Sequence, residues 1–256
     1  MSLRVRVLAS GSRGNAALYS AGSTHVLLDC GISARRIEAA LRKEGLAPGD
    51  LAAVFLTHEH TDHVKGLRVF LKNRRIPLFA APECLESPAL QEVSPWHAEP
   101  LSSGVPVSLG PLTLTPFALP HDAAACLGFV VEAGGVRAVQ ATDLGTPTAL
   151  VRQRLAGAHC LLLEFNHDLD RLLHGGYPLD LKMRIKGRLG HLSNEQAASL
   201  LASCLHDDLH ALYLMHLSEE NNLPELALLA AREALAGRKV SLEVAGPQGP
   251  APPWEG

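Results

Sequence analysis

The chain has 256 residues, of which 47% are hydrophobic and 19% are charged, and this composition excludes a largely disordered protein. Its formal net charge of −3 excludes a uniformly basic nucleic-acid binder, so a nucleic-acid partner would need a local basic patch. No apolar run approaches the roughly 20 residues of a membrane helix, and the cysteines are scattered without paired spacing. We therefore expect a cytoplasmic protein with reduced thiols and no membrane partner. The composition also includes 13 histidines, whose positions must be explained.

Short runs rich in Val and Leu alternate with longer helical patterns along the chain. Several of these runs are continuously apolar, which is typical of strands that are covered on both faces. In chain order, the runs predict strands at residues 3–9, 25–29, 52–57, 76–80, 112–119, 126–132, 136–142, 159–165, 211–215 and 240–244.

The helical patterns carry recognisable start and stop signals. They lie at residues 34–44 after the cap Ser33, at residues 64–72, after the capping box of Ser193 and Gln196, and from Asn222 and Pro224 to about residue 236. The mixture of strands and helices predicts one domain over residues 1–245. Residues 246–256 are rich in Pro and Gly, and we expect them to form a flexible tail.

A dense cluster of metal-binding residue types follows the run that ends at Thr57. Residues two apart in an extended segment point to the same side, so His58 and His60 can share one ion. Asp62 and His63 then face a second position at the entry to a helix. Imidazole together with carboxylate suits Zn²⁺ and also Mn²⁺ or Fe. Surface histidines in a polar loop are the alternative, but chance rarely produces so dense a motif.

Three further strand predictions are each followed by a residue of ligand type, namely His121, Asp143 and His216. Loops at one rim of a sheet are where binding sites are built, so we expect these residues to join the motif. The combined set would hold two divalent ions, with Asp143 as the natural bridge between them. Asp29 also ends a strand, either as a turn residue or as a group that orients a ligand histidine.

Another group of residues indicates an anion-binding lobe. His191 precedes the helix that Ser193 caps and that Asn194 begins, and free N–H groups at a helix N-terminus bind anions. A basic cluster lies just upstream, made of Lys182, Arg184, Lys186 and Arg188. The alternative is a solvated basic loop followed by an ordinary helix cap.

Two smaller features complete the candidate site. Glu164 ends an apolar strand and could orient His191 as an acid pair. Ser12 and Asn15 lie in a turn of small residues after the first strand. The backbone amides of that turn could approach a phosphate, or the segment could simply reverse the chain.

The series of Asp29, the motif from His58 to His63, His121, Asp143 and His216 resembles the metallo-β-lactamase superfamily, in that family's order. The resemblance implies an α+β fold, a four-layer αββα sandwich of two mixed β-sheets flanked by helices, with a dinuclear metal site on their shared rim. It assigns one ion to His58, His60, His121 and Asp143, and the other to Asp62, His63, Asp143 and His216.

Four segments, at residues 10–15, 166–168, 190–194 and 216–222, are similar to the WalJ/YycJ-like exonuclease group of that superfamily. The similarity implies a 5′-to-3′ exonuclease that acts on DNA in preference to RNA. In the ribonuclease Z branch of the superfamily, a Glu and a His in comparable order serve proton donation. Glu164 and His191 are the matching pair here.

These observations lead to the hypothesis that a hydroxide bridging two Zn²⁺ or Mn²⁺ ions attacks a phosphodiester. The catalytic residues would be Asp143, Asp62, and His191 steered by Glu164. The substrate would be bound by Ser12, Asn15, Arg184, Lys186, Arg188, Ser193 and Asn194. Two alternatives stay open: a metallo-hydrolase of thioesters, lactones or cyclic phosphodiesters, and a metal-binding regulatory protein without turnover. The oligomeric state is not predicted.

Overall fold

The computed structural model describes residues 2–256, so only the first residue of the predicted domain lies outside it. Two seven-stranded β-sheets organise the described chain. The first contains β1 (Arg4–Ala9), β2 (Ala16–Ala21), β3 (Thr24–Leu28), β4 (Leu51–Phe55), β5 (Leu78–Ala80), β6 (Ala98–Pro100) and β14 (Trp254–Glu255). The second contains β7 (Val107–Leu109), β8 (Leu112–Ala118), β9 (Leu127–Ala133), β10 (Val136–Ala141), β11 (Cys160–Glu164), β12 (Ala211–Met215) and β13 (Ser241–Val244).

Both sheets combine antiparallel and parallel pairing. The first has the order β14-β1-β2-β3-β4-β5-β6, and the second has the order β13-β12-β11-β10-β9-β8-β7. Adjacent strands pair parallel within the runs β3 to β6 and β10 to β13. All other adjacent strands pair antiparallel. The helices are α1 (Ala34–Lys43), α2 (Thr61–Val64), α3 (Leu67–Leu71), α4 (Pro82–Leu85), α5 (Ala149–Leu155), α6 (Leu169–His174), α7 (Leu179–Lys186), α8 (Asn194–Ala202) and α9 (Pro224–Leu235).

The apolar interior lies on both faces of the second sheet. In β11, Cys160 and Leu162 join the cluster shared with the first sheet, while Leu161 and Leu163 join a second cluster. That second cluster includes buried residues of α5, α8 and α9. A strand covered on both faces must be apolar at every position, which explains the continuous runs. Two mixed sheets flanked by helices confirm the predicted α+β sandwich.

The helix signals agree with the structure at three of the predicted starts, one of which is Pro224, the first residue of α9. Ser33 accepts a hydrogen bond from the Arg36 N–H at the start of α1. Ser193 and Gln196 form a complete capping box before α8. The helix predicted over residues 64–72 is instead two short helices, α2 and α3. At Gly66 between them, the N–H donates to Cys30 O at 2.7 Å, which ties the break to the loop after β3.

The end of the chain differs from the prediction of a flexible tail over residues 246–256. Strand β14 pairs antiparallel with β1, where Trp254 lies opposite Val5. The Ala251 N–H donates to Val7 O at 3.0 Å, and the Tyr213 hydroxyl donates to Pro252 O at 2.7 Å. The prediction is wrong for residues 251–256, because Pro and Gly content reports local preference and not the free strand edge that this segment covers.

The loops that carry the candidate site leave the strands at one rim shared by the two sheets. Three of these loops begin with residues in the left-handed region, namely Asp29 (φ 64°), Asp143 (φ 63°) and His216 (φ 56°). They follow β3, β10 and β12, respectively. Over residues 2–256, no helix has the length and apolar character needed to cross a bilayer.

Candidate metal centre

All seven residues that the sequence assigns to metal ions lie close together in the structure. His58 comes from the loop after β4, His60 caps α2, and Asp62 and His63 belong to α2. Ligand atoms within 4.8 Å of one another form overlapping groups: His58, His60 and His121; Asp62, His63 and His216; His58, His63 and Asp143; and Asp143, Glu164, His191 and His216. The first two groups match the two predicted ligand sets without Asp143.

Asp143 lies between the two sets. Its Oδ2 is 3.3 Å from His63 Nε2, and its Oδ1 is 3.4 Å from His216 Nε2 and 3.9 Å from His121 Nε2. Burial opposes ionisation of this carboxyl, but His216 and His63 outweigh it and hold the pKa of Asp143 well below its ordinary value. An ionised carboxylate in this position can face both ligand sets at once.

Two buried atoms of the cluster test whether it suits a metal. Within the described chain, His58 Nε2 and Asp143 Oδ2 lack a hydrogen-bond partner although both are shielded from solvent. Burial, followed by the neighbouring His63, lowers the pKa of His58, so its ring is neutral and offers a lone pair. Buried polar atoms without partners are costly, and coordination to a cation satisfies them. The residues therefore fit divalent metal ions.

Asp29 orients one of the ligand histidines. Its Oδ2 lies 2.8 Å from His63 Nδ1, and both side chains are fully buried. The backbone N–H and the hydroxyl of Thr57 donate to the same carboxylate. Because Nδ1 faces Asp29, Nε2 of His63 is directed toward Asp62 and Asp143. Of the two interpretations that the sequence leaves open, this contact favours the orienting one.

Glu164 and His191 form a pair beside the ligand cluster. His191 Nδ1 lies 2.7 Å from Glu164 Oε1, and the His191 ring is 5.1 Å from that of His121 and 5.2 Å from that of His216. The other carboxylate oxygen accepts hydrogen bonds from the N–H groups of Leu144 and Leu192. Burial would raise the pKa of Glu164, but the contact with His191 lowers it to about 2. Glu164 is thus an anion held by three hydrogen-bond partners.

One cavity of about 240 Å³ opens onto the cluster. Ligand side chains line it together with His191, and so do Ser12 and Arg184 from the predicted substrate-binding set. Arg184 Nε pairs with Asp122 Oδ2 at 2.5 Å at the edge of this cavity. Further lining residues are Asn166, Ser218, Tyr177, Leu181 and Ile185.

Comparison with known proteins identifies the family. The model of the beta-lactamase superfamily domain matches residues 24–217. Exodeoxyribonuclease YycJ of Bacillus anthracis is 31% identical over 248 residues, covering 92% of this chain and 90% of its own length. Exodeoxyribonuclease WalJ of Streptococcus pneumoniae serotype 2 (strain D39) is 33% identical over 244 residues, covering 92% and 89%. The chain belongs to the metallo-β-lactamase superfamily.

The fold comparison agrees with this membership. The metallo-beta-lactamase fold protein YhfI from Bacillus subtilis superposes with a TM-score of 0.74 at 18% identity, and 99% of each chain is covered. Within the superfamily, the chain groups with the YycJ/WalJ relatives, as the sequence motifs predict. Together with the cluster of His and Asp ligands, the membership makes this chain a metal-dependent hydrolase.

Several predicted substrate-binding residues of this superfamily member have other surroundings. Asn15 is buried, and its Nδ2 lies 3.2 Å from Asp62 Oδ2 and 3.1 Å from His63 Nε2. Ser193 is the buried cap of α8, and Asn194 exchanges two hydrogen bonds with Asn222. Their side chains therefore have partners inside the protein, and contact of these three residues with substrate stays a prediction.

The basic cluster lies mostly on a helix and not in the loop that one interpretation of the sequence expects. Its residues from 182 to 186 belong to helix α7 and not to a loop. Arg184 reaches the cavity. Lys186 and Arg188 are exposed and are not among the described residues that line it. The Lys182 ammonium donates to Leu173 O at 2.9 Å. Of the four cations, Arg184 alone faces the described cavity.

Several residues that line the cavity are not predicted as site residues from the sequence, among them Asn166, Asp122 and Tyr177. Asn166 donates to His216 O at 2.9 Å and thereby fixes the loop that carries this ligand. Its presence in one of the segments shared with the exonuclease group is a signal that could have identified it. Asp122 and Tyr177 carry no comparable signal: Tyr177 lies in the bend between α6 and α7, and the sequence predicts neither of these helices.

Proposed function

We propose that this superfamily member is a 5′-to-3′ exonuclease that hydrolyses DNA phosphodiesters with two divalent ions, Zn²⁺ or Mn²⁺. The observation that carries the proposal is the 2.7 Å contact of Glu164 with His191, because His191 lines the same cavity as five of the seven predicted ligands. The two relatives matched over most of the chain are both named exodeoxyribonucleases, which supports the choice of DNA.

The ions would be held by His58, His60, His121 and Asp143 on one side and by Asp62, His63, Asp143 and His216 on the other. Divalent ions there supply an acidified water molecule and neutralise the charge on the scissile phosphate. Asp143, located between the two sets, would serve both of them and accept the proton of the attacking water.

His191 is the proposed acid for the departing oxygen. Glu164 takes the hydrogen bond of Nδ1, so Nε2 is the nitrogen that presents a proton to the substrate. The Glu164 carboxylate stabilises the charged imidazolium and fixes the ring plane. Arg184 would neutralise a neighbouring phosphate, because it is the cation that faces the cavity. Contacts of this kind predict salt-sensitive binding with little sequence preference.

The test is digestion of end-labelled single-stranded DNA, with an RNA of the same sequence and a thioester in parallel, in Zn²⁺, Mn²⁺ and Mg²⁺. We expect nucleotides to be released from the 5′ end. We expect His191→Ala to lower kcat about 10²–10⁴-fold, the usual contribution of a general acid. Asp143→Ala should abolish turnover, because both ligand sets lose a member.

The exposed residue His97 provides the matched control, and His97→Ala should digest DNA at the wild-type rate. Unchanged turnover in His191→Ala would contradict the assignment of the acid. Hydrolysis of the thioester without any hydrolysis of DNA would reject the nuclease function.

We also propose a cytoplasmic location, which the five buried free thiols support.

A further inference from the structure

Helix α7 makes an unusual contribution to the fold. None of its eight residues, all of them in the described chain, is buried. The helix nevertheless contains four large apolar side chains, those of Leu179, Leu181, Met183 and Ile185. A surface helix of a globular protein ordinarily buries its apolar stripe against the core. Core packing therefore does not account for the apolar residues of α7.

The helix is nonetheless held in a defined position beside the site. Ile185 O accepts a hydrogen bond from the N–H of His191 at 2.8 Å. In the following turn, Arg188 O accepts from the Thr146 hydroxyl at 2.9 Å, and Leu189 O accepts from the Asp122 N–H at 3.1 Å. These bonds join α7 to the proposed acid and to the loop after His121. The position of α7 is thus coupled to the catalytic residues.

One side of this segment faces the cavity. Tyr177, Leu181 and Ile185 follow one another at intervals of four residues and all line it; we call these three residues the apolar strip. Arg184 lies on the same side of α7. The side chains of the strip are half-buried, so they keep surface available for contact with a ligand. A single cavity thus combines metal ligands, a cation and an apolar wall.

Each part of a nucleotide has a matching part of this cavity. The phosphate suits Arg184 and the divalent ions that the ligands would hold, whereas the flat apolar faces of a base suit the strip. A volume of about 240 Å³ lies below the 300–1,000 Å³ typical of drug-sized ligands, which favours one small unit over a base pair. We propose that the apolar strip binds the unpaired terminal base of the strand being digested, with Tyr177 stacked on it. This inference rests on the proposed nuclease function.

The test compares wild type, Tyr177→Ala and Tyr177→Phe on two end-labelled DNA strands. The strands differ only at the end from which the wild type digests, where one carries a normal nucleotide and the other an abasic one. Stacking of a base on an aromatic side chain corresponds to roughly 5- to 150-fold in binding, so Tyr177→Ala should raise KM by that factor on the normal end. On the abasic end the same variant should match wild type. Tyr177→Phe should match wild type on both ends, because the ring is retained.

Leu179→Ala is the matched control, because Leu179 lies two residues after Tyr177 at the start of α7, is 74% exposed and does not line the cavity. It should leave KM unchanged on both strands. Thermal unfolding of each variant checks that the substitution has not perturbed the fold. An equal rise in KM on both ends for Tyr177→Ala would overturn the inference while leaving the nuclease intact. Failure of the wild type to digest either strand would instead reject the proposed function.

Discussion

At the scale of single residues, the site depends on backbone conformations that a sequence does not reveal. Asp29, Asp143 and His216 have φ values of 64°, 63° and 56°, where residues other than glycine are uncommon. Each such residue costs of order 1–3 kcal/mol, and it persists because its surroundings over-determine it. Hydrogen bonds do this here: the His216 N–H donates to Ser10 Oγ at 2.8 Å, and Asp29 accepts from Thr57.

The clustering of the proposed ligands is the part of the site that could be predicted from sequence. His58, His60, Asp62 and His63 are adjacent in the chain, so their shared geometry is a local property. Asn15 illustrates what could not be predicted. Its contacts with Asp62 and His63 join residues 47 and 48 positions away, and the turn that holds it has no metal-binding residue type. The sequence suggests a phosphate turn, whereas the structure uses the side chain to position ligands.

His167 leads to a prediction about pH and stability. It is 1% exposed, neither ring nitrogen has a hydrogen-bond partner in the described chain, and burial lowers its pKa to about 4. The unfolded chain takes up this proton near pH 6.5 and the folded protein only near pH 4. Stability present above pH 6.5 is therefore lost as pH falls toward 4, by up to about 3 kcal/mol.

We expect His167→Leu to remove this loss, because leucine fills the site without titrating. Urea unfolding at pH 7.5 and 4.5 measures the change for wild type and variant. The free energies of unfolding should be similar at pH 7.5, and the variant should be the more stable at pH 4.5. The exposed His97→Leu serves as the control and should follow wild type. An equal loss in the free energy of unfolding between pH 7.5 and pH 4.5 for wild type and His167→Leu would contradict the prediction.

At the scale of elements, helix α2 shows how a short segment is placed precisely. The Cys30 N–H donates to His63 O, and the Asn15 N–H donates to Asp62 O, both at 2.8 Å. At Gly31, the residue after Cys30, the chain passes α2 so closely that a Cβ would lie 1.6 Å from Asp62 O. Glycine is thus required for close approach, and the position of α2 depends on the loop after β3.

Gly31→Ala should therefore displace α2 and the ligands Asp62 and His63. We expect Zn²⁺ affinity, measured by competition with a chelating dye, to fall about 10–100-fold, as when the support of metal ligands is lost. The free energy of unfolding should fall by about 1–3 kcal/mol from overpacking. Gly49→Ala is the matched control, because no atom lies within 4 Å of its Cβ position. Wild-type metal affinity in Gly31→Ala would show that α2 does not depend on this contact.

The elements that could be predicted are those with strong local signals. The apolar runs of β11 and β12 and the caps of α1 and α8 specify their structures within a few residues. Strand β2, with the sequence Ala-Ala-Leu-Tyr-Ser-Ala, lacks β-branched residues and forms because β1 and β3 flank it. Helix α7 is likewise set by its hydrogen bonds to the site loops and not by a buried stripe.

At the scale of the whole molecule, the two sheets bring distant parts of the chain to one rim. Residues 29 and 58–63 come from the first sheet, and residues 121, 143 and 216 come from the second. The final segment connects the sheets at another place. Tyr213 of β12 donates to Pro252 O, and β14 completes the edge of β1. No local pattern in residues 246–256 indicates this, because Trp254 and Glu255 pair with Val5 and Arg4 at the other end of the chain.

Removal of residues 251–256 should destabilise the molecule without disabling the site. The deletion exposes the edge of β1 and takes away the burial of Ala251, which is 7% exposed, and of half-buried Trp254. We expect a loss of about 2–4 kcal/mol, or a fall in Tm of roughly 4–16 °C. Gln248→Ala, a substitution at an exposed position just before the deleted residues, should leave Tm unchanged.

Because β14 pairs with Arg4 and Val5, whereas the turn beside the metal ligands begins at Ser10, DNA digestion at 20 °C should keep its kcat/KM. A truncated protein with the Tm of wild type would mean that β14 contributes no stability, and a lost kcat/KM in the folded protein would mean that the far edge of the sheet does support the site.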